Sequence, residues 1–255
     1  MKAKYSISFV VAAVALLGLS VSVPASSLDS RIESSARQSY VFKTYLQGDD
    51  IKIQSRDGAV TLTGVVSGNF HKSLAQETVT DLPGVKSVDN RLEIKGAAPT
   101  ANSDAWLQDK VQVTLLLHRS VNAATTQVNV KDGIVTLRGA AANQAQKDLT
   151  TEYAKDVEGV IGVNNEMAVT KGPMKTPEKT QTLSEKIDDA SITAQVKMTL
   201  LYHRSTSALN TKVKTNSGVV TLSGKAANEA ELVLATKFAD DVNGVQRVEN
   251  RMTIE

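Results

Sequence analysis

The stretch DGIVTLRGAAANQAQKDLTTEYAKDVEGVIGVNNEMAV, residues 132–169, decides the fold because the chain contains three versions of it. Residues 57–94 and 217–254 align with it without a gap, at offsets of 75 and 85 residues. The aligned positions include Gly64, Gly139 and Gly224, then Gly84, Gly159 and Gly244, and then Asn90, Asn165 and Asn250. An internal repeat of this kind identifies the chain as an array of one structural unit.

The repeat extends upstream into a first helix, which gives each unit about 67 residues. The aligned aspartates Asp29, Asp104 and Asp189 are predicted N-caps, since a carboxylate accepts hydrogen bonds from the free N–H groups of a first turn. Apolar residues then follow at four-residue steps, which indicates an amphipathic helix. They are Ile32, Ala36 and Tyr40 in the first unit, Leu107, Val111 and Leu115 in the second, and Ile192, Val196 and Leu200 in the third.

The remainder of each unit has the pattern of a hairpin, a second helix and a third strand. Asp-Gly at 57–58 and 132–133 suits a tight hairpin turn, and a VTL strand follows in every copy. The glycine after VTL is predicted to allow a close approach or an unusual backbone angle. Asn143-x-x-Gln146 and Asn228-x-x-Glu231 resemble capping boxes at the start of the second helix, and the glycine of the second aligned set ends it.

The predicted fold class is therefore α+β, as three tandem two-layer α-β-β-α-β domains with a three-stranded mixed sheet and two helices each. The predicted domains are unit 1 (28–94, with a divergent first helix), unit 2 (103–169) and unit 3 (187–255). Linkers at 95–102 and 170–186 separate them. A unit of this size buries only about 60% of its unfolded surface, so packing between units is expected to supplement its core.

Residues 1–25 have the pattern of a secretory signal. Lys2 and Lys4 precede an apolar run, and Val23-Pro24-Ala25 supplies small residues for cleavage near Ala25. A membrane anchor is the competing interpretation, but the run is shorter than the ~20 residues that span a bilayer. Removal of this segment takes two lysines from a total of 29 basic and 27 acidic residues, which leaves the remainder formally neutral. A neutral chain lacks the electrostatic footprint of a nucleic-acid-binding protein.

The chain contains no cysteine, which excludes disulfides, thiolate metal sites, thiol catalysis and a cysteine-linked lipid anchor. Nor does it contain a Ser-His-Asp order or a phosphate-binding glycine loop. The sequence therefore predicts no enzyme, no catalytic residue, no cofactor and no metal.

Each unit resembles a BON domain, a family named for bacterial OsmY and nodulation proteins. The resemblance rests on D-G-x-V-T-L-x-G, a glycine 20 residues later, and G-V-x-x-V-x-N before the last strand. It implies a periplasmic, non-enzymatic protein of osmotic or envelope stress that associates peripherally with phospholipid surfaces or exported envelope proteins. The alternative is a chaperone-like or scaffold protein without lipid affinity. The sequence leaves open which unit and surface bind, the inducing condition, the oligomeric state and the domain arrangement.

The motif LLLHRS at 115–120 recurs as LLYHRS at 200–205, so His118 and His203 are aligned. A metal site would require the two to converge with further ligands. Lys43 occupies the same position in unit 1, which favours cationic residues at a helix C-terminus instead. On this interpretation, changing both histidines to lysine should preserve the fold.

A surplus of apolar residues on the first helices suggests a contact surface for lipid, a partner protein or a neighbouring unit. A neighbouring unit is the default interpretation for these runs. The candidate contact residues are Trp106, Leu116, Leu117, Leu201 and Tyr202.

Overall fold

A computed structural model describes residues 25–96, 99–170, 187–206 and 210–255. Residues 1–24 of the predicted signal segment and residues 171–186 of the second linker lie outside the described ranges. Among the described residues, no helix is long and apolar enough to cross a membrane.

Unit 1 begins with two consecutive helices where the sequence predicted one. Ile32 and Ala36 lie on a buried face as expected, but the helix breaks at Ser39, and Tyr40 starts the next helix. The Ser39 side chain accepts a hydrogen bond from the Phe42 N–H, which makes it the N-cap of the second helix. The elements are α1 (Ala25–Gln38), α2 (Tyr40–Thr44), β1 (Asp50–Arg56), β2 (Ala59–Val66), α3 (Asn69–Thr80) and β3 (Ser87–Ile94).

Units 2 and 3 repeat this order with a single first helix and a third strand split into two short pieces. Unit 2 consists of α4 (Asp104–Leu117), β4 (Thr126–Lys131), β5 (Ile134–Ala141), α5 (Gln144–Lys155), β6 (Gly162–Asn165) and β7 (Ala168–Val169). Unit 3 consists of α6 (Asp189–Tyr202), β8 (Thr211–Asn216), β9 (Val219–Ala226), α7 (Glu229–Asp240), β10 (Arg247–Asn250) and β11 (Thr253–Ile254).

The sheet topology is the same in all three units. The middle strand pairs antiparallel with the first strand through the hairpin, and parallel with the third strand, which the second helix connects to it. The α+β prediction of small two-layer domains with mixed sheets is confirmed.

The aligned aspartates Asp29, Asp104 and Asp189 are not N-caps, so that prediction was wrong. The N-caps of α4 and α6 are Ser103 and Asp188, one residue earlier. Asp104 instead accepts hydrogen bonds from the hairpin turn, with its two carboxylate oxygens 2.8 Å from the N of Asp132 and 3.0 Å from the N of Gly133. Two turn N–H groups that a tight hairpin leaves unpaired are thereby satisfied by the adjacent helix. Asp29 and Asp189 make the equivalent contacts in units 1 and 3.

The capping boxes of the second helices are present. Asn143 accepts from the Gln146 N–H at 2.8 Å, and the Gln146 side chain accepts in return from the Ala142 N–H at 2.9 Å. Asn228 and Glu231 repeat the pattern in unit 3.

Helix α6 is the centre of the molecule because it is buried on nearly all sides. Ile192, Val196 and Leu200 belong to an apolar core that runs continuously through units 2 and 3. Ala190, Ala194 and Met198, on the other side of the helix, belong to a second core that they share with unit 1. The expected packing between units is thus observed, and unit 3 joins the other two.

Candidate functional site

The ends of α4 and α6 bring the two aligned histidines into contact. His118 and His203 are the C-cap residues of these helices, as a helix-end role predicts. However, their Nε2 atoms lie 2.8 Å apart, and the two residues are only 2% and 1% exposed. Treating them as separate helix ends was therefore incomplete, because the pair forms the centre of the junction between units 2 and 3.

Each histidine is held by an aspartate from the other unit. His118 Nδ1 lies 3.1 Å from Asp241 Oδ2, and His203 Nδ1 lies 2.9 Å from Asp156 Oδ2. The two aspartates occupy aligned positions at the ends of α7 and α5. The junction therefore has approximate twofold symmetry, with the Nε2–Nε2 contact at its axis.

The recurrence of the tripeptide His-Arg-Ser follows from this junction, because every member contacts the opposing aspartate. The Arg119 N–H donates to the Asp241 carbonyl at 2.9 Å, and the Arg204 N–H donates to the Asp156 carbonyl at 2.8 Å. The third member donates its hydroxyl to the remaining carboxylate oxygen, from Ser120 to Asp241 and from Ser205 to Asp156.

Aromatic rings enclose the histidine pair. Tyr153 stacks on His118 with ring centroids 3.8 Å apart, and Phe238, at the aligned position, stacks on His203 at 3.9 Å. The Tyr153 hydroxyl also donates to Asp241 Oδ2 at 2.7 Å, a contact that Phe238 cannot repeat. This hydrogen bond therefore breaks the symmetry between the two halves of the junction.

Burial and hydrogen bonding set the ionisation of these groups. Burial would raise the pKa values of Asp241 and Asp156, but the hydrogen bonds from the histidine and serine partners outweigh it and lower both. Burial lowers the pKa of His118, and its hydrogen bond to Asp241 opposes this effect only in part. Burial and the Asp241 carboxylate raise the pKa of Tyr153. Both aspartates are consequently carboxylates at neutral pH.

Unit 1 uses the same aspartate position for a different contact. Asp81 aligns with Asp156 and Asp241, but its carboxylate lies 2.8 Å from Nζ of Lys197 on α6. Glu77 is the second acceptor of this lysine, at 3.1 Å. Lys43, which aligns with the histidines, is exposed. The aspartate after each second helix is therefore an inter-unit contact in all three copies.

The histidine junction lacks the ligands of an ordinary metal site. Among the described residues, no group of three or more His, Cys, Asp or Glu could hold a metal ion. Zinc binds histidine nitrogens at 2.0–2.1 Å, so two ligands of a tetrahedral site lie about 3.3 Å apart, farther than these two nitrogens. The geometry is that of a hydrogen bond, and the absence of a bound metal stays a prediction.

The predicted contact residues differ in their availability. Leu117 is fully buried in the core that includes unit 1, so it contacts a neighbouring unit and is not available to lipid or to a partner protein. Tyr202 is half-buried, and its ring centroid lies 6.2 Å from that of Phe70 in unit 1. Leu116 and Leu201 are 40% and 51% exposed. Trp106 is half-buried, with Nζ of Lys110 4.2 Å from its ring centroid.

A second surface is apparent only from the strand register. The sheet of unit 3 turns five basic side chains outward, opposite the face that packs on α6 and α7. Lys212 and Lys214 on β8 pair with outward positions of β9, and Arg247 on β10 pairs with the first residue of that strand. We call this surface the basic face; it comprises Lys212, Lys214, Lys225, Arg247 and Arg251, all exposed.

One carboxylate lies among these cations, since Glu249 accepts from Arg247 at 2.6 Å and from Arg251 at 2.9 Å. The same five positions carry two positive charges in unit 1 and a single negative charge in unit 2. They are Lys52, Gln54, Val65, Ser87 and Arg91 in unit 1, and Gln127, Asn129, Ala140, Gly162 and Glu166 in unit 2. The residues after the predicted signal, which carry equal numbers of basic and acidic side chains, thus concentrate positive charge on one exposed sheet.

Sequence reasoning missed Asp156 and Asp241 as well as the basic face. The signal for the aspartates was available, because Asp81, Asp156 and Asp241 align as closely as the glycines do. The near-balance of 29 basic and 27 acidic residues gave no sign of the basic face. Finding it requires the alternation of side chains along each strand to be used to place the charged residues on one side of the sheet.

Comparison with known proteins identifies the family. The family model of the BON domain matches residues 28–96, 103–171 and 188–255, and the chain belongs to this family. Osmotically-inducible protein Y of Escherichia coli K12 is 29% identical over 201 residues, covering 78% of this chain and 95% of that protein. An uncharacterized protein in the gshII 5' region of Anaplasma centrale is 30% identical over 145 residues, covering 57% and 90% of the two chains.

Among solved structures, CdsD, a structural protein of the type III secretion system of Chlamydia trachomatis, aligns with a TM-score of 0.24. It is 16% identical, and the alignment covers 88% of this chain and 90% of CdsD.

Proposed function

We propose that this BON protein is exported to the bacterial periplasm and acts there, without catalysis, by peripheral association with anionic phospholipid surfaces during osmotic or envelope stress. The observation that carries the proposal is the basic face of unit 3. Five exposed cations on one sheet match a layer of anionic headgroups, and each basic residue near such a surface contributes about 1 kcal/mol.

Two further observations support the proposed location in the periplasm and the proposed role in stress. The signal-like residues 1–25 favour export, and the similarity to an osmotically inducible protein favours a role in stress. Peripheral attachment is consistent with the described helices, none of which could span a bilayer.

The second candidate is binding of exported envelope proteins in a chaperone-like or scaffold role without lipid affinity. The exposed Leu116 and Leu201 favour it, because they are large apolar side chains that remain accessible after the units pack. The two candidates differ in salt dependence, since an electrostatic contact weakens at high ionic strength and an apolar one does not.

The test is co-sedimentation with phosphatidylglycerol vesicles and with phosphatidylcholine vesicles, at low and high salt. We expect salt-sensitive binding to the anionic vesicles, and Lys212→Glu/Lys214→Glu should reduce the affinity at least tenfold, at about 1 kcal/mol per lost cation. These side chains project from the exposed sheet face, so the fold should be unaffected.

The matched control is Lys52→Glu/Gln54→Glu, which places acidic residues at the same strand positions of unit 1. Its vesicle binding should change far less than that of the unit 3 variant. Equal loss in both variants would mean that total charge rather than the basic face matters. No binding of wild type to either vesicle would favour the protein-binding alternative.

A further inference from the structure

The contacts at the histidine junction cannot all be hydrogen bonds if both imidazoles are neutral. Both Nδ1 atoms lie at hydrogen-bond distance from aspartates. An ionised carboxylate can only accept, so each Nδ1 must carry a hydrogen. A neutral imidazole has one N–H, so both Nε2 atoms would then be bare lone pairs. Two lone pairs cannot account for a buried contact of 2.8 Å.

One additional hydrogen resolves the contact. If a third hydrogen lies between the two Nε2 atoms, one ring donates and the other accepts, and all four ring nitrogens are satisfied. A fourth hydrogen would set two N–H groups against each other at the same distance. We infer that His118 and His203 form a binding site for a single shared proton, which stabilises the junction of units 2 and 3 most strongly at near-neutral pH.

The charges around the pair suit a single positive charge. Asp241 faces it from the end of α7, and Asp156 faces it from the end of α5. Arg119 Nε and Arg204 Nε lie 3.8 and 3.7 Å from these carboxylates, and Asp240 lies 3.5 Å from Arg119. Tyr153, also on α5, adds a neutral donor. Two aspartates with one shared proton and two half-exposed arginines leave no large uncompensated charge in the junction.

The pH dependence follows from counting hydrogens in the folded and unfolded chains. Unfolded histidines titrate near pH ~6.5, so below this pH the two free rings hold four hydrogens and the folded pair three. Unfolding then takes up one proton, and each pH unit of acidification should favour it tenfold. Burial lowers the pKa of His118 in the folded chain. This shift acts in the same direction, because the unfolded histidine then takes up a proton below pH ~6.5 that the folded one resists.

Above this pH the sign reverses. The unfolded rings hold two hydrogens and the folded pair still holds three, so unfolding releases one proton and rising pH favours it tenfold per unit. The contribution of the pair to stability should therefore pass through a maximum near pH ~6.5.

The test combines a direct count of hydrogens with an equilibrium measurement on the full chain. Long-range ¹H–¹⁵N spectra of the histidine rings at neutral pH should show both Nδ1 atoms protonated and one N–H proton shared between the two Nε2 atoms. Urea unfolding should be measured from about pH 5 to 9 for wild type and for His118→Gln/His203→Gln, whose amide pair keeps a donor and an acceptor but does not titrate.

The difference in stability between wild type and the glutamine variant should pass through a maximum as pH increases. On either side of that maximum it should change by the equivalent of about tenfold per pH unit in the unfolding constant. His71→Gln, the change of the remaining histidine, is the matched control and should leave that maximum in place. A flat or one-sided difference, or spectra with an unprotonated Nδ1 or two bare Nε2 atoms, overturns the shared proton. Should the glutamine variant not fold, the spectra and the two-sided wild-type curve decide alone.

Discussion

Replacing both junction histidines by lysine should destabilise the protein by about 3 kcal/mol or more, because two buried ammonium groups would face each other at short range in a site closed to water. The side chains of His118 and His203 are fully inaccessible, and their inner nitrogens are 2.8 Å apart. Two lysines would place two ammonium groups in the space that now holds one shared proton, and would remove the stacking on Tyr153 and Phe238. Urea unfolding of His118→Lys/His203→Lys at neutral pH measures the loss.

The matched control makes the same substitution at the third histidine. His71 is half-buried, and its Nδ1 lies 2.5 Å from Asp49, so His71→Lys places an ammonium group beside that carboxylate at a partly solvated site. Its effect should be well below that of the double variant, because a single cation there faces a carboxylate and no second cation. If the double lysine variant instead unfolded at the wild-type urea concentration, Lys43 would be a valid guide to these positions and the buried junction would be wrong.

The difference between these buried histidines and the exposed Lys43 shows which part of the structure could not be predicted from the sequence. Lys43 suggested that His118 and His203 needed only positive charge at a helix end, which is a local property. Their partners are 123 and 47 residues away, in other units, and no periodicity within one unit points to them. The repeat revealed the architecture of each unit, because turns, caps and strand alternation depend on neighbours in the chain. It did not reveal which copies pack together, because that depends on differences between the copies.

The aspartates at the first helices illustrate a subtler failure. An aspartate next to a helix start favours an N-cap, and Asp188 fills that role in α6. Asp189 beside it bonds to the turn of β8 and β9, whose N–H groups are 28 and 29 residues farther along. Local propensity could not choose between two adjacent carboxylates, since the choice is made by the hairpin that packs against the helix.

The aligned glycine that lies two residues after VTL, inside the middle strand of each sheet, is a position at which local and tertiary requirements agree, so its replacement should have a large effect. In unit 2, Gly139 has a φ of 126°, and a Cβ atom there would lie 2.0 Å from the carbonyl oxygen of Thr125. A contact this short forces β4 away from β5 at the start of their pairing. Gly139→Val should therefore cost about 2–4 kcal/mol, through backbone strain together with overpacking, as measured by urea unfolding.

The control lies on the same sheet of the same unit. Gly162 in β6 has open space where its Cβ would be, and it aligns with Ser87 and Arg247, which carry side chains at the equivalent position. Gly162→Val should be neutral or slightly stabilising, because a β-branched residue suits a strand and restricts the unfolded chain. The backbone angle and the carbonyl contact recur at Gly64 and Gly224, so valine at Gly224 should reproduce the loss in unit 3. Equal stability of the Gly139 and Gly162 variants would mean that the hairpin tolerates a side chain at this position, and that close strand approach does not explain why all three copies keep glycine.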